Sequence, residues 1–195
     1  VAGDGSQGNN VSYYPRLSGD GRFVAFRSDA TNLVAGDTNG VRDVFVHDCV
    51  TGATTRVSVD SGGVQGNGAS EGGALSGDGR YVAFWSAASN LVAGDTNALW
   101  DIFVRDRQAG QTARVSVDST GTQSNGPSYA PAMSADGQVV TFTSSASNLV
   151  ANDTNSMTDV FAHERGSGQT TRVSVSTSGV QADWPVVGGA LNSDG

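Results

Sequence analysis

Cysteine is almost absent from this sequence. Its one thiol in 195 residues, Cys49, excludes an intrachain disulfide and a thiolate-bound metal cluster. Positive charge is scarce too. Eleven Lys and Arg stand against 19 Asp and Glu, and the net charge of −8 would repel nucleic-acid phosphates or an anionic membrane. No apolar run approaches the ~20 residues of a membrane-spanning helix, so no membrane insertion is expected. Neither an initiator Met nor a charged-then-apolar leader opens the chain, which is therefore expected to start at a processed or chosen point. Strong helix formers are few, and no segment has helical periodicity. What remains is an all-β composition of Val, Thr, Ser and Gly, long enough for one packed domain or part of a larger one.

Internal repetition dominates what is there. Asp20, Asp78, Asp136 and Asp194 sit 58 residues apart in Ser-X-Asp-Gly or closely related tetrapeptides, and the same spacing relates Phe45, Phe103 and Phe161, and Arg56, Arg114 and Arg172. Within the first unit, four strands are expected: Tyr13 to Ser18, Phe23 to Ser28, Asp43 to Asp48 and Thr55 to Val59. Their counterparts in the second unit are Ala74 to Ser76, Tyr81 to Ser86, Asp101 to Asp106 and Ala113 to Val117. Asp-Gly between apolar runs is a hairpin signal, and the unbroken apolar stretch Val44-Phe45-Val46 suits a strand covered on both faces. Short antiparallel strands in a repeat of this size predict β-propeller blades stacked around an axis. The expected blades run from about 13–70, 71–128 and 129–186, with the start of a fourth over 187–195. Three blades and a fragment make an incomplete ring. A stretch of a longer array is the simpler expectation, and a dimer that completes itself is the other.

The segments SGDGRFVAFRS, DVFVHDCVTG and TTRVSV resemble the TolB-like propeller repeats of bacterial proteins. The resemblance spans the whole chain and implies a propeller fold. It does not imply a function, since propellers host many. Gly19, Gly77 and Ala135 depart from it, standing where the family often has Pro. The inserted NLVAGDTN loop is shared with a subset of the family.

That loop supplies the first candidate site. Asp37, Asn39 and Asp43 recur as Asp95, Asn97, Asp101 and as Asp153, Asn155, Asp159. Three oxygen-bearing side chains at relative positions 1, 3 and 7 suit calcium, which takes ~6 to 8 oxygens. Asx-turns at the same residues are the competing reading. The acids at position 12 (Asp48, Asp106, Glu164) are discounted, because a strand would carry them ~16 Å away.

Other motifs point nowhere catalytic. Gly68-Ala69-Ser70-Glu71-Gly72 matches a nucleophile elbow, but it falls between strands and its counterpart around Ser128 loses the last glycine. His47 and His163 share a position occupied by Arg105, expected as an exposed strand site. Cys49, with Arg107 and Arg165 as counterparts, reads as incidental. Trp85, Trp100 and Trp184 break the repeat, and they suit either sugar stacking or gaps between blades. Asn10-Val11-Ser12 and Asn152-Asp153-Thr154 fit the glycan-acceptor pattern by chance composition.

Together these features predict a non-catalytic, calcium-stabilised propeller scaffold or assembly unit of an exported bacterial protein, extracellular or periplasmic, such as a filament subunit. Its expected partners are other copies of itself or further blades of the same chain. The alternatives are a carbohydrate-binding propeller and the propeller part of a larger hydrolase.

Overall fold

In a computed structural model, residues 1–182 and Trp184 are described. The expected opening of a fourth blade and Asp194 lie outside these residues. The described chain is all-β. Its first sheet holds β1 (Ser12–Leu17), β2 (Phe23–Ser28), β3 (Asp43–Asp48) and β4 (Thr54–Arg56). The second holds β5 (Ser70–Leu75), β6 (Tyr81–Ser86), β7 (Asp101–Asp106) and β8 (Gln111–Arg114), and the third β9 (Ser128–Met133), β10 (Val139–Ser144), β11 (Asp159–Glu164) and β12 (Thr170–Arg172). Each sheet is a four-stranded antiparallel meander in chain order. The sheets stack face to face as propeller blades, and no closed ring forms among the described residues.

The middle two strands of each blade match their sequence expectation, while the flanking ones differ. In the second unit the first strand starts earlier than expected, at Ser70, because a bulge between Glu71 and Ala74 hides the alternation of the strand. The fourth strands end at Arg56 and Arg114 rather than at Val59 and Val117. Val57 N–H still donates to Val44 O at 2.9 Å, but Ser58 then turns its hydroxyl inward onto Asp43 and the ladder stops.

Apolar residues from two blades make each core. Between the first and second blades, Ala25, Val44, Val46 and Val57 meet Val82, Phe84, Ala88, Leu91 and Phe103. The repeat places Ala83, Ile102, Val104 and Val115 against Met133, Val140, Phe142, Ala146, Leu149 and Phe161 in the next interface. This explains the double-sided burial of β3 and β7: Val44 and Val46 face one neighbour and Phe45 the other side.

The hairpin turns follow one design. Ser76 Oγ donates to Asp78 Oδ1 at 2.7 Å and accepts Tyr81 N–H, and Gly79 takes φ +68°. Neighbouring turns are also linked. Asp20 N–H donates to Gly77 O (3.0 Å), and Gly77 N–H donates to Ala135 O (2.7 Å). Proline at 77 would lack that donor, which accounts for the departure from the Ser-Pro-Asp-Gly pattern there.

Candidate functional site

The long loop after the second strand divides its work. Its first part plugs the blade with Ala30 and Leu33, both buried. Asn67 clasps the same part of the next blade's loop, accepting Ser89 N–H and donating to Ser89 Oγ, while Asn90 Nδ2 donates to Gln65 O. The second part carries the predicted site residues. Thr38 N–H donates to Gln65 Oε1 and Thr38 Oγ1 accepts from Gln65 Nε2, so the loop also grips the connector to the next blade.

Asp37, Asn39 and Asp43 do come together, but around an arginine that the spacing argument had not included. Arg56 Nη1 lies 3.0 Å from Asp37 Oδ1 and 3.2 Å from Asp43 Oδ2. Asp43 is fully buried. Its Oδ1 accepts Ser58 Oγ–H at 2.5 Å, and its Oδ2 accepts Asn39 Nδ2 at 2.9 Å. Asn39 Oδ1 accepts Val41 N–H. Asp95, Asn97 and Asp101 repeat the cluster with Arg114 at 3.2 and 3.7 Å, and Asp153, Asn155 and Asp159 with Arg172 at 3.0 and 3.4 Å. Burial, and then repulsion from Asp43, pushes the Asp37 carboxyl above its ordinary value, and the same two causes act on Asp95.

As arranged, this donor set does not fit calcium. The amide of Asn39 turns its NH2 toward Asp43, a serine hydroxyl occupies one carboxylate oxygen, and the guanidinium supplies the positive charge between the two acids. Among the described residues, no three His, Cys, Asp or Glu side chains converge to hold a metal. The geometry is that of an ionic latch: two buried carboxylates, two neutral donors and one arginine, present three times. The signal for it was in the sequence, since Arg56, Arg114 and Arg172 share the 58-residue register.

The remaining candidates separate clearly. Ser70 Oγ is buried against Ser86 Oγ at 2.9 Å at the opening of a strand, without the strand-to-helix turn of a nucleophile elbow. The histidine position is not exposed as expected. His163 is buried and its Nδ1 donates to Thr170 Oγ1 (2.8 Å), because that hydroxyl itself donates to Val117 O on the connector. Burial, then the charge of Arg165, lowers its pKa. Arg105 makes the equivalent bond to Thr112.

Sequence reasoning missed the surface facing the axis. Tyr14, Arg16, Arg27, Glu71, Trp85 and Pro131 line a cleft of about 360 Å³ between the first strands of the three blades. Glu71 receives both Arg27 and Arg42, and Arg42 also reaches Asp29 at 3.1 Å. The guanidinium of Arg27 lies over the rings of Tyr13 and Tyr14, 5.0 and 4.5 Å from their centroids. Trp100 and Tyr129 pair nearby at 6.5 Å.

Comparison with solved structures supports the architecture. The chain superposes on TolB from Acinetobacter baumannii with a TM-score of 0.55 at 19% identity, over 94% of this chain and 36% of that one. The β-propeller domain of the Trilobed protease from Pyrococcus furiosus, described as having an open velcro topology, matches with a TM-score of 0.51 at 12% identity, over 83% of this chain and 41% of that one. The chain thus spans well under half of either. No family model matches the sequence, and no curated protein does. At these identities the likeness establishes the fold, a β-propeller of the kind seen in TolB and in protease propeller domains.

Proposed function

We propose that this chain is a non-catalytic propeller scaffold of an exported bacterial protein, built to receive further blades on its outer sheet faces. One observation carries the reading. Phe26, Ala30, Leu33 and Phe45 form a third apolar cluster, occupying the same repeat positions as Phe84, Ala88, Leu91 and Phe103 in the filled interface. The first blade therefore presents a receiving half without its other half. Leu17 is 61% exposed there, and Val1, Tyr13, Val24 and Phe26 border an open depression. At the opposite end, Val173 is 48% exposed where its counterpart Val115 is 2% exposed. The partner is a blade of this same repeat, supplied by a second copy or by more of the same polypeptide.

The three arginine latches fill the role that the sequence reading gave to calcium. Export is consistent with the acidic charge and the polar Ser, Thr and Gly surface. The buried Ser70 favours the non-catalytic reading, and Ser70→Ala should alter no ester or peptide hydrolysis. Light scattering across a concentration series tests the assembly. The chain should associate, and Phe26→Lys should weaken association while leaving β6 and β7, covered on both sides, protected from hydrogen exchange. A strictly monomeric mass at high concentration, with the apolar face of the first blade solvated, would overturn it.

A further inference from the structure

The three units share their buried frame but differ where they face the axis. Phe45, Asp43 and Arg56 recur unchanged in every unit. At the bulge of the first strand, by contrast, the units carry Tyr14, Gly72 and Ala130, all at positive φ. Behind them stand Arg27, Trp85 and Thr143, and before the third strand Arg42, Trp100 and Thr158. Blade stacking gives no reason for three different residues at each position, because one interface is built like the next. The residues at the bulge and behind it meet on a single surface, where Tyr14, Gly72, Ala130, Arg27 and Trp85 line one cleft. In repeat proteins such a surface is where a binding face is made, since the frame is satisfied without it.

The charge of that surface opposes the rest of the molecule. Arg16, Arg27 and Arg42 face Asp29 and Glu71, leaving one positive charge in excess on a chain of net charge −8. Arg16 makes no ion pair among the described residues, and its polar contact is with Pro15 O at 3.3 Å. Arg27 lines the cleft beside Arg16, and its one ion pair among the described residues is with Glu71. Aromatic rings complete the walls: Tyr14, which is 56% exposed, and the half-buried Trp85.

We propose that this axis-side cleft binds an acidic saccharide, with the carboxylate of a uronate residue on Arg16 and Arg27 and a sugar ring against Trp85 and Tyr14. An arginine fork matches a carboxylate in shape and charge. A pyranose has an apolar C–H face that suits an aromatic ring and a hydroxyl rim that suits the Glu71 carboxylate lining the cleft. A neutral sugar would leave the excess arginine charge unanswered. A simple anion would make no use of the rings.

The probes are galacturonate and glucuronate tetrasaccharides, with their methyl esters as uncharged controls of the same shape, titrated into the full chain by calorimetry and tryptophan fluorescence. At least one free acid should bind, its ester should bind at least tenfold more weakly, and salt should weaken the acid form. Arg16→Gln should lower affinity at least tenfold with an unchanged melting temperature, since Arg16 makes no ion pair among the described residues and its polar contact is an exposed one with its neighbour Pro15. Trp85→Thr, the residue of the third unit, should lose both affinity and the fluorescence change. The proposal is overturned if acid and ester bind alike, if neither acid binds at millimolar concentration, if Arg16→Gln binds normally, or if phosphate or polyglutamate competes as well as the saccharide.

Discussion

Gly72 lies directly beneath the indole of Trp85: a Cβ at position 72 would overlap the six-membered ring, and the backbone there holds φ +70°. The third blade solves the same bulge differently, with Ala130 at φ +51° opposite Thr143. The two positions therefore vary as a pair. Gly72→Ala should cost about 2–4 kcal/mol, combining a strained left-handed alanine with overpacking against the ring. Adding Trp85→Thr should recover the overpacking part, giving a coupling above about 0.5 kcal/mol in a double-mutant cycle by denaturant unfolding. Additive losses would mean that the ring moves aside freely.

The arginine latch makes an opposite pair of predictions. Replacing Arg114 with Met leaves Asp95 and Asp101 buried beside each other without their cation, at a cost of about 3–5 kcal/mol. The wild-type melting temperature should not respond to calcium or to a chelator, because the guanidinium already occupies the space between the carboxylates. A rise in melting temperature with calcium concentration would restore the metal reading, since a ligand that binds only the folded state must stabilise it. Terbium luminescence on the Arg114→Met chain offers a second readout, as removing the guanidinium frees the carboxylate oxygens for a hard cation.

Much of this fold was legible because the sequence states it three times. Period, turn chemistry and the apolar run at Val44 to Val46 each led to the same blade, and the central strands fell where the pattern put them. The flanking strands were harder to read. A bulge at Gly72-Gly73 interrupts the alternation in β5, so the pattern resumes only at Ala74, and Ser58 ends its strand through a side-chain bond to Asp43 that no local pattern encodes. The site was half legible. Spacing brought Asp37, Asn39 and Asp43 together correctly, but it could not show that Arg56, on a different strand, would lie between them. His163 misled for a related reason: its environment is set by a connector from the previous blade, 53 residues before the threonine that links the two.

Acid should destabilise the molecule through its strand-end ion pairs. The bidentate hydrogen bonds from Arg80 hold the Asp106 carboxyl down at about 2, well below its ordinary 3.8. A depressed acid stabilises the folded state when ionised, so this contribution is complete above 3.8 and is lost as pH falls toward 2. Asp95 and Asp37 have the opposite sign. Their raised values mean that ionisation costs stability, and protonation on acidification relieves that cost. Asp106→Asn should therefore be less stable than wild type at neutral pH yet lose less between pH 4 and 2. Unfolding free energies measured across that window decide it, and parallel curves for the two proteins would show that Arg80 does not set the acid limit.

The turn around Gly77 offers a test of how neighbouring blades are tied together. Its N–H donates to Ala135 O at 2.7 Å, and its carbonyl accepts Asp20 N–H at 3.0 Å, so one residue links three blades at the turn end of the axis. Gly77→Pro would recreate the Ser-Pro-Asp-Gly pattern of TolB-like repeats while deleting the donor and pressing the ring against Ala135, whose carbonyl oxygen already stands 3.2 Å from where a Cβ would lie. Leaving the Ala135 carbonyl unpaired there should cost about 1–3 kcal/mol. Gly77→Ala keeps the N–H and meets the same neighbour with one methyl, so it should cost less than half as much. The difference separates the bond from the crowding. Hydrogen exchange at Asp20 gives an independent readout, because its amide depends on the position of the Gly77 carbonyl. Equal stability of the proline and alanine variants, with Asp20 equally protected in both, would show that blade packing alone holds the turns in line.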